Sequence, residues 1–324
     1  MNDSRHAAIV FNPTKISRED LAESVDPAAT AAGWGESLWF ETSEDDPGVA
    51  MAQQAVDRGA DVVLAVGGDG TVRAVAEGLR DTGVPLALCP QGTGNLMARN
   101  LDLTLDNLPK SVDAAFNGVP RPVDLGLVTY ETAEGEEHEK AFLVMAGLGL
   151  DAAIMDSTDG ELKKKVGMLA YFEAGARALR DHHRMRLSYR IDGGEVRQAK
   201  LHTVVVGNCG SIGNNILLLP DAAVDDGQLD IVAVQPQGPF GWLRVFWKVL
   251  VDNAILRRLD SDYVRRRRDQ SDELNYESCR EFSLTVSQPQ KMQIDGDPLG
   301  EVVSAQLTVE HGGLTVMMPE GWTA

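Results

Sequence analysis

Three cysteines in 324 residues, at positions 89, 209 and 279, are too few and too scattered for a disulfide framework or a cysteine metal site. Their scarcity fits a reducing compartment, and a cytoplasmic location is expected. Long apolar runs are missing as well. The best candidate, Trp242 to Leu256, is interrupted by Arg244, Lys248 and Asp252, short of the ~20 apolar residues that a spanning helix needs. The apolar run in MNDSRHAAIVFNPTK is too short for a secretory leader. Positive charge is in deficit, 30 Lys and Arg against 49 Asp and Glu, a formal net charge of -19. Such a field opposes general affinity for nucleic acid or anionic membrane, so no nucleic-acid partner is expected. Neither G-x-G-x-x-G nor G-x-x-x-x-G-K-[ST] occurs in the glycine turns, which weighs against a dinucleotide redox enzyme and a P-loop ATPase.

What is present is a globular composition, 43% hydrophobic, in a chain long enough for two domains. Up to about residue 125, short apolar runs (HAAIVF, SLWFET, DVVLAV, PLALCP) alternate with helical patterns, which predicts a doubly wound α/β domain. Ser17 to Asp20 reads as a capping box opening a helix to about residue 33, and Val72, Val75 and Leu79 share one helical stripe. Beyond Asp124 the pattern turns to alternation: Met185, Leu187, Tyr189 and Ile191 point one way before a turn at IDGGE, and QLDIVAV and EFSLTVS are strand-like. A mostly antiparallel β-sandwich is expected, interrupted by helical stretches near 162–179 and 240–259. The acidic run 131–140 reads as an exposed hairpin. The expected domains are 1–126 and 127–310, with 311–324 returning to the first.

The chemistry centres on two glycine turns. GGDGT follows DVVLAV and precedes a helix, so Gly67, Gly68 and Gly70 fall at the carboxyl end of a strand, where open α/β sheets bind ligands. Glycines there admit a phosphate to backbone N–H groups, and the helix N-terminus favours its charge. Asp69 would repel a phosphate unless a magnesium ion, water or a substrate hydroxyl stands between them. An Asp-Gly turn capping a helix accounts for the motif in isolation. A second turn, PQGTGNLMARNL, also lies between an apolar strand and a helical pattern, and the strand end IVFNPTK adds Asn12, Thr14 and Lys15. Together they outline a nucleotide cradle.

GGDGT followed by P-x-G-T-G-N and A-R resembles the catalytic domain of the diacylglycerol kinase family, which includes bacterial soluble lipid kinases, sphingosine kinases and ceramide kinases. The likeness continues through VDLGLV (123–128), FLVMAGLGLDA (142–152), LKKKVGMLAY (162–171), VVVGN (204–208), LPDAAVDDGQLDIV (219–232) and QIDGDPL (293–299). GGDGT alone is shared with NAD kinases and loosely with phosphofructokinases, whose α/β fold the resemblance implies for the first domain. It further implies ATP contacts at Asn12, Thr42, Gly67, Gly68, Asp69, Gly70, Thr71, Val72, Arg73 and Thr93. DDGQLD matches a structural magnesium site: Asp226 would supply a carboxylate, with the backbone carbonyls of Ala223 and Gln228 beside it. The family's D-G-E, which supplies the general base, corresponds to Asp295, Gly296 and Asp297, with aspartate in place of glutamate. Asp69, Asp295 and Asp297 all stand as candidates for the base. Val72, Arg73 and Ala74 depart from the family's usual asparagine and glutamate, so that Arg73 could pair with phosphate or with a nearby acid.

The implied reaction is direct transfer of the ATP γ-phosphoryl group to a lipid hydroxyl, with Mg2+ neutralising charge. Two rivals stand beside it: an NAD kinase-like enzyme, and a non-catalytic nucleotide- or lipid-binding protein on the same scaffold. Trp242, Phe246 and Trp247, with Arg257, Arg258 and the run Arg265 to Arg268, suit either an interfacial helix at the inner membrane face or an amphipathic helix covering the sheet. His182 and His183 read as surface residues. An exposed strand edge could support a homodimer.

Overall fold

The computed structural model describes residues 5–149, 184–212, 216–235 and 274–322. The helical patterns expected at 162–179 and 240–259, the aromatic and arginine cluster, and His182 and His183 lie outside the described residues.

The first half alternates strand and helix: β1 (Ala7–Phe11), α1 (Arg18–Ala31), β2 (Leu38–Glu41), α2 (Val49–Asp57), β3 (Val62–Gly67), α3 (Asp69–Leu79), β4 (Leu86–Pro90), α4 (Leu96–Asn100) and α5 (Leu108–Asn117). The four strands run parallel in the order β4-β3-β1-β2. Alternate side chains of each strand enter opposite layers. Ile9, Phe11, Leu64 and Val66 pack with Leu21 and Val25 of α1 and Phe116 of α5. Val10, Val63 and Ala65 pack with Ala52 of α2 and with Val72, Val75 and Leu79 of α3. Both faces are therefore covered, which is why these strands are apolar throughout. Ser17 caps α1 by accepting the Asp20 N–H, as its capping box predicts, and the helix ends at Ala31, shortly before Gly33 at φ 74°.

The second half is strand-rich: β5 (Val119–Thr132), β6 (Glu137–Phe142), β7 (Met145–Leu148), β8 (Met185–Ile191), β9 (Arg197–Leu201), β10 (Thr203–Gly207), β11 (Ser211–Ile212), β12 (Ile216–Leu217), β13 (Leu229–Val234), β14 (Leu274–Cys279), β15 (Glu281–Ile294) and β16 (Asp297–Met318). Its pairings are antiparallel, and a separate core forms around Phe142, Leu187, Leu229, Phe282, Leu284 and Leu307. Met185 and Leu187 are buried in that core, and Tyr189 and Ile191 pack against it. The acidic run forms the turn between β5 and β6, where Gly135 adopts φ 84°. The fold is an α/β domain followed by a mostly antiparallel β-sandwich domain.

β16 connects the two halves. It lies antiparallel to β15 and β5 along most of its length, and near its end Val316 pairs in parallel with Leu86 of β4. At the end of α3, Arg80 donates through Nε to both carboxylate oxygens of Glu310 (3.0 and 2.9 Å) on β16 and through Nη1 to Glu139 (2.6 Å) on β6. These contacts set α3, and the loop that begins it, against the second domain.

Candidate active site

The two glycine turns meet at the carboxyl ends of adjacent strands β3 and β4. Gly67 accepts the Gln91 N–H at 2.8 Å, and a Cβ on Gly92 would stand 2.7 Å from the Cα of Gly68. The loops press main chain to main chain, leaving no space for a side chain at Gly92. Asn95, in the left-handed region at φ 50°, locks the second turn by accepting the Gly92 N–H and donating to the Gly92 carbonyl, both at 2.9 Å.

Asp69 occupies the seam. Its carboxylate accepts the N–H of Asn95 (2.9 Å) and of Leu96 (2.5 Å), so an acid in the first turn of α3 caps α4 across the gap. Gly94 is needed there, since a Cβ would lie 2.5 Å from Asp69 Oδ2. Burial pushes the Asp69 carboxyl above its usual range; the two N–H donors oppose that shift and the charge of Asp297 adds to it.

The remaining expected nucleotide contacts surround these loops. Asn12 follows β1, its amide oxygen accepting from the N–H (2.9 Å) and hydroxyl (2.7 Å) of Thr14. Thr42 follows β2, is buried, and donates its N–H to Phe11. Thr93 is exposed at the tip of the second turn. Thr71 and Val72 are buried in the first turn of α3, and Thr71 packs directly over Gly67. The N–H of Val72 makes a helical bond to Gly68, so the N–H groups preceding it are the ones a helix leaves for a ligand.

Asp295 and Asp297 flank a turn in which Asp295 (φ 48°) and Gly296 (φ 97°) are both left-handed, and the two acids part company. Asp295 is 7% exposed and points inward, accepting the N–H groups of Leu143 (2.7 Å), Val144 and Met145 (both 2.9 Å). Burial pushes it up to about 6 despite those donors. Asp297 points outward over Gly70, and its Oδ2 accepts from Arg73 Nη2 at 2.7 Å. The structure therefore gathers Asp69, Gly94, Arg73 and Asp297 at one place, with Asp295 buried among the main-chain groups of 143–145.

Residues 6–128 match the diacylglycerol kinase catalytic domain, and residues 144–318 match the YegS C-terminal NAD kinase beta sandwich-like domain. The diacylglycerol kinase of Bacillus subtilis (strain 168) is 26% identical over 98% of this chain and 97% of its own. A probable lipid kinase YegS-like of Pseudomonas putida is 32% identical over 74% of this chain and 78% of its own. The chain belongs to the diacylglycerol kinase family of lipid kinases. Among solved structures, a putative diacylglycerol kinase from Bacillus anthracis str. Sterne aligns with a TM-score of 0.73 over 100% of both chains at 20% identity. Yeast NADH kinase complexed with NADH aligns with a TM-score of 0.51 over 97% of this chain and 83% of that one, at 11% identity. Both likenesses concern the fold.

A second polar cluster in this lipid kinase surrounds Asp124, which sequence reasoning passed over. Fully buried at the centre of β5, Asp124 accepts from Gly227 N–H (2.6 Å), Gly312 N–H (2.8 Å) and the His311 ring (2.8 Å). A lone acid within the apolar run VDLGLV was the available signal, because a charge in a buried strand needs partners. Asn208 donates to the carbonyls of Asp124 and Leu143 at 2.9 and 3.1 Å. The 223–228 loop is tied to this cluster by the Asp124 N–H, which donates to Val224. Asp226 Oδ1 accepts the Gln228 N–H, and burial followed by the charges of Asp124 and Asp225 raises its carboxyl. Asp226, with the carbonyls of Ala223 and Gln228 in the same loop, could offer oxygen ligands to a hard cation. Among the described residues no group of three or more His, Cys, Asp or Glu side chains is arranged for a metal. No helix among the described residues is long and apolar enough to cross a membrane.

Proposed function

We propose that this lipid kinase transfers the γ-phosphoryl group of Mg-ATP to the hydroxyl of diacylglycerol or a related lipid. The observation that carries the proposal is the clamped pair of glycine turns beside the outward-facing Asp297. Nucleotide is assigned to residues 1–126, with the 311–324 tail, and lipid to 127–310.

ATP phosphates would lie on the main chain of Gly67 to Arg73, with Asn12, Thr42 and Thr93 at the rim. The magnesium ion that accompanies ATP is part of the substrate and neutralises phosphate charge. Asp297 is assigned as the base: half-exposed and outward, it can meet an arriving hydroxyl. As the lipid O–H bond breaks, its proton passes to Asp297 and the oxygen's electron pair forms a bond to the γ-phosphorus. The bond from that phosphorus to the bridging oxygen breaks, and its pair leaves with ADP. Asp69 holds the two loops in register, and Asp295 holds the base of the turn that presents Asp297. Asp226 is assigned to a structural magnesium ion away from this chemistry.

The test is transfer of labelled γ-phosphate from Mg-ATP to diacylglycerol, sphingoid bases, ceramide and NAD in mixed micelles. Label in a lipid, strongly reduced in Asp297→Asn, supports the proposal. Label in NAD, or ATP binding with label in no acceptor, overturns it.

A further inference from the structure

Arg73 is the buried member of an ion pair whose other member is half-exposed. Its side chain is 11% exposed and that of Asp297 is 45% exposed. The guanidinium donates to a single carboxylate oxygen twice, Nε at 3.1 Å and Nη2 at 2.7 Å to Asp297 Oδ2. On its other edge Nη1 donates to Glu77 Oε2 at 3.3 Å, one turn further along α3. Glu77 in turn accepts from Lys140 Nζ at 3.1 Å and from the Ala141 N–H at 3.4 Å on β6. Each hydrogen-bonding edge of Arg73 is thus engaged by a carboxylate, and the helix that carries it begins with the GGDGT turn.

The consequence is geometric. Asp297 starts β16 beside a flexible glycine, yet its position is set from α3, so it is fixed relative to the nucleotide loop. With Oδ2 taken by both donors, Oδ1 has no protein hydrogen bond among the described residues, and it lies 3.7 Å from where a Cβ on Gly70 would stand. Arginine suits this task better than lysine, because its planar fork restrains the carboxylate in orientation as well as in distance.

We propose that Arg73 is a positioning residue for phosphoryl transfer: it holds Asp297 by Oδ2 so that Oδ1 is the atom that takes the acceptor hydroxyl proton. The proposal rests on the lipid-kinase reaction given above. The proton moves from the lipid hydroxyl to Oδ1, the freed oxygen bonds the γ-phosphorus, and ADP leaves with the electron pair of the broken bond. Arg73 gains and loses no proton.

The test uses the full chain with Arg73→Gln, Arg73→Lys, Asp297→Asn and the paired variants, assayed for transfer from Mg-ATP to the best lipid acceptor, with melting curves for each. Arg73→Gln is expected to lower kcat by roughly tenfold or more while KM for ATP stays within about threefold, and Arg73→Lys to recover part of the loss. In the Asp297→Asn background neither substitution should cost a further factor, because the group being positioned is gone. A raised KM for ATP with kcat preserved would make Arg73 a phosphate ligand and overturn the proposal. Multiplying losses in the paired variants would overturn it as well. If Arg73→Gln melts early, Arg73→Lys alone and paired with Asp297→Asn gives the same comparison. Wild-type protein that labels no lipid overturns the lipid-kinase proposal and this one together, whereas labelling that is indifferent to Arg73 overturns only this one.

Discussion

Asp69 and Asn95 are joined at 2.9 Å by a hydrogen bond from the main-chain N–H of the second glycine turn to the carboxylate of the first. An acid that the sequence places beside a phosphate is thereby engaged with the protein's own backbone. The two N–H donors offset part of the charge that a bound phosphate would meet.

Asp69→Asn replaces an acceptor oxygen with an NH2 group that opposes a backbone N–H. It is expected to destabilise the fold by about 1–3 kcal/mol and to lower kcat/KM by roughly a hundredfold, since the loops assigned to the nucleotide lose register. Urea melts and steady-state kinetics check this. A variant of wild-type stability with activity lost would show that the carboxylate acts on substrate alone.

Gly92→Ala puts a methyl group 2.7 Å from the Cα of Gly68. Main chain cannot rotate aside as a side chain can, so the turns must separate, at a cost of about 1–3 kcal/mol. ATP affinity, read by isothermal titration, is expected to fall about tenfold or more, and unchanged affinity would show that nucleotide binds elsewhere.

Asp295 makes stability depend on pH in an unusual sense for an acid. Its carboxyl stands at about 6 in the fold, raised from 3.8, so the folded state binds the proton more tightly than the unfolded state. The stability it contributes is full only well below pH 3.8 and is lost as pH rises to and through about 6. Asp295→Asn does not titrate. The unfolding free energy of the wild type minus that of the variant should therefore fall by about 2 kcal/mol between pH 4 and pH 7. Urea midpoints at several pH values measure it, and a difference that rises with pH would contradict the assignment.

Asp226→Asn removes one negative charge from the loop beside Asp124. Millimolar Mg2+ is expected to raise the melting temperature of the wild type and to leave that of the variant unchanged, since binding to the folded state alone stabilises it. Equal shifts in both proteins would place the ion elsewhere.

The parallel sheet and both glycine turns were legible in the sequence because local chemistry decides them: buried apolar runs end in turns whose glycines face each other across neighbouring strands. Ser17 announced its helix in the same way. The division of labour between Asp295 and Asp297 was not legible. One residue separates them, and two successive left-handed residues turn one carboxylate inward and the other out. The partners that decide the outcome are remote. Arg73 lies 224 positions from Asp297, and Asp124 finds Gly227, His311 and Gly312 at separations of 103, 187 and 188. Arg73 was visible as a departure from the family pattern, and only the fold selects an acid as its partner.

The length of β16 also bears on how the protein is made. A ribosome delivers residues in order, and β5 is complete by residue 132, whereas its partner on one side spans residues 302–318. Until residues 302–318 emerge that edge of β5 lacks this partner, and an unpaired strand edge invites pairing with other copies. Cutting the chain between the two halves would part β5 from a strand that also reaches β4 of the first sheet.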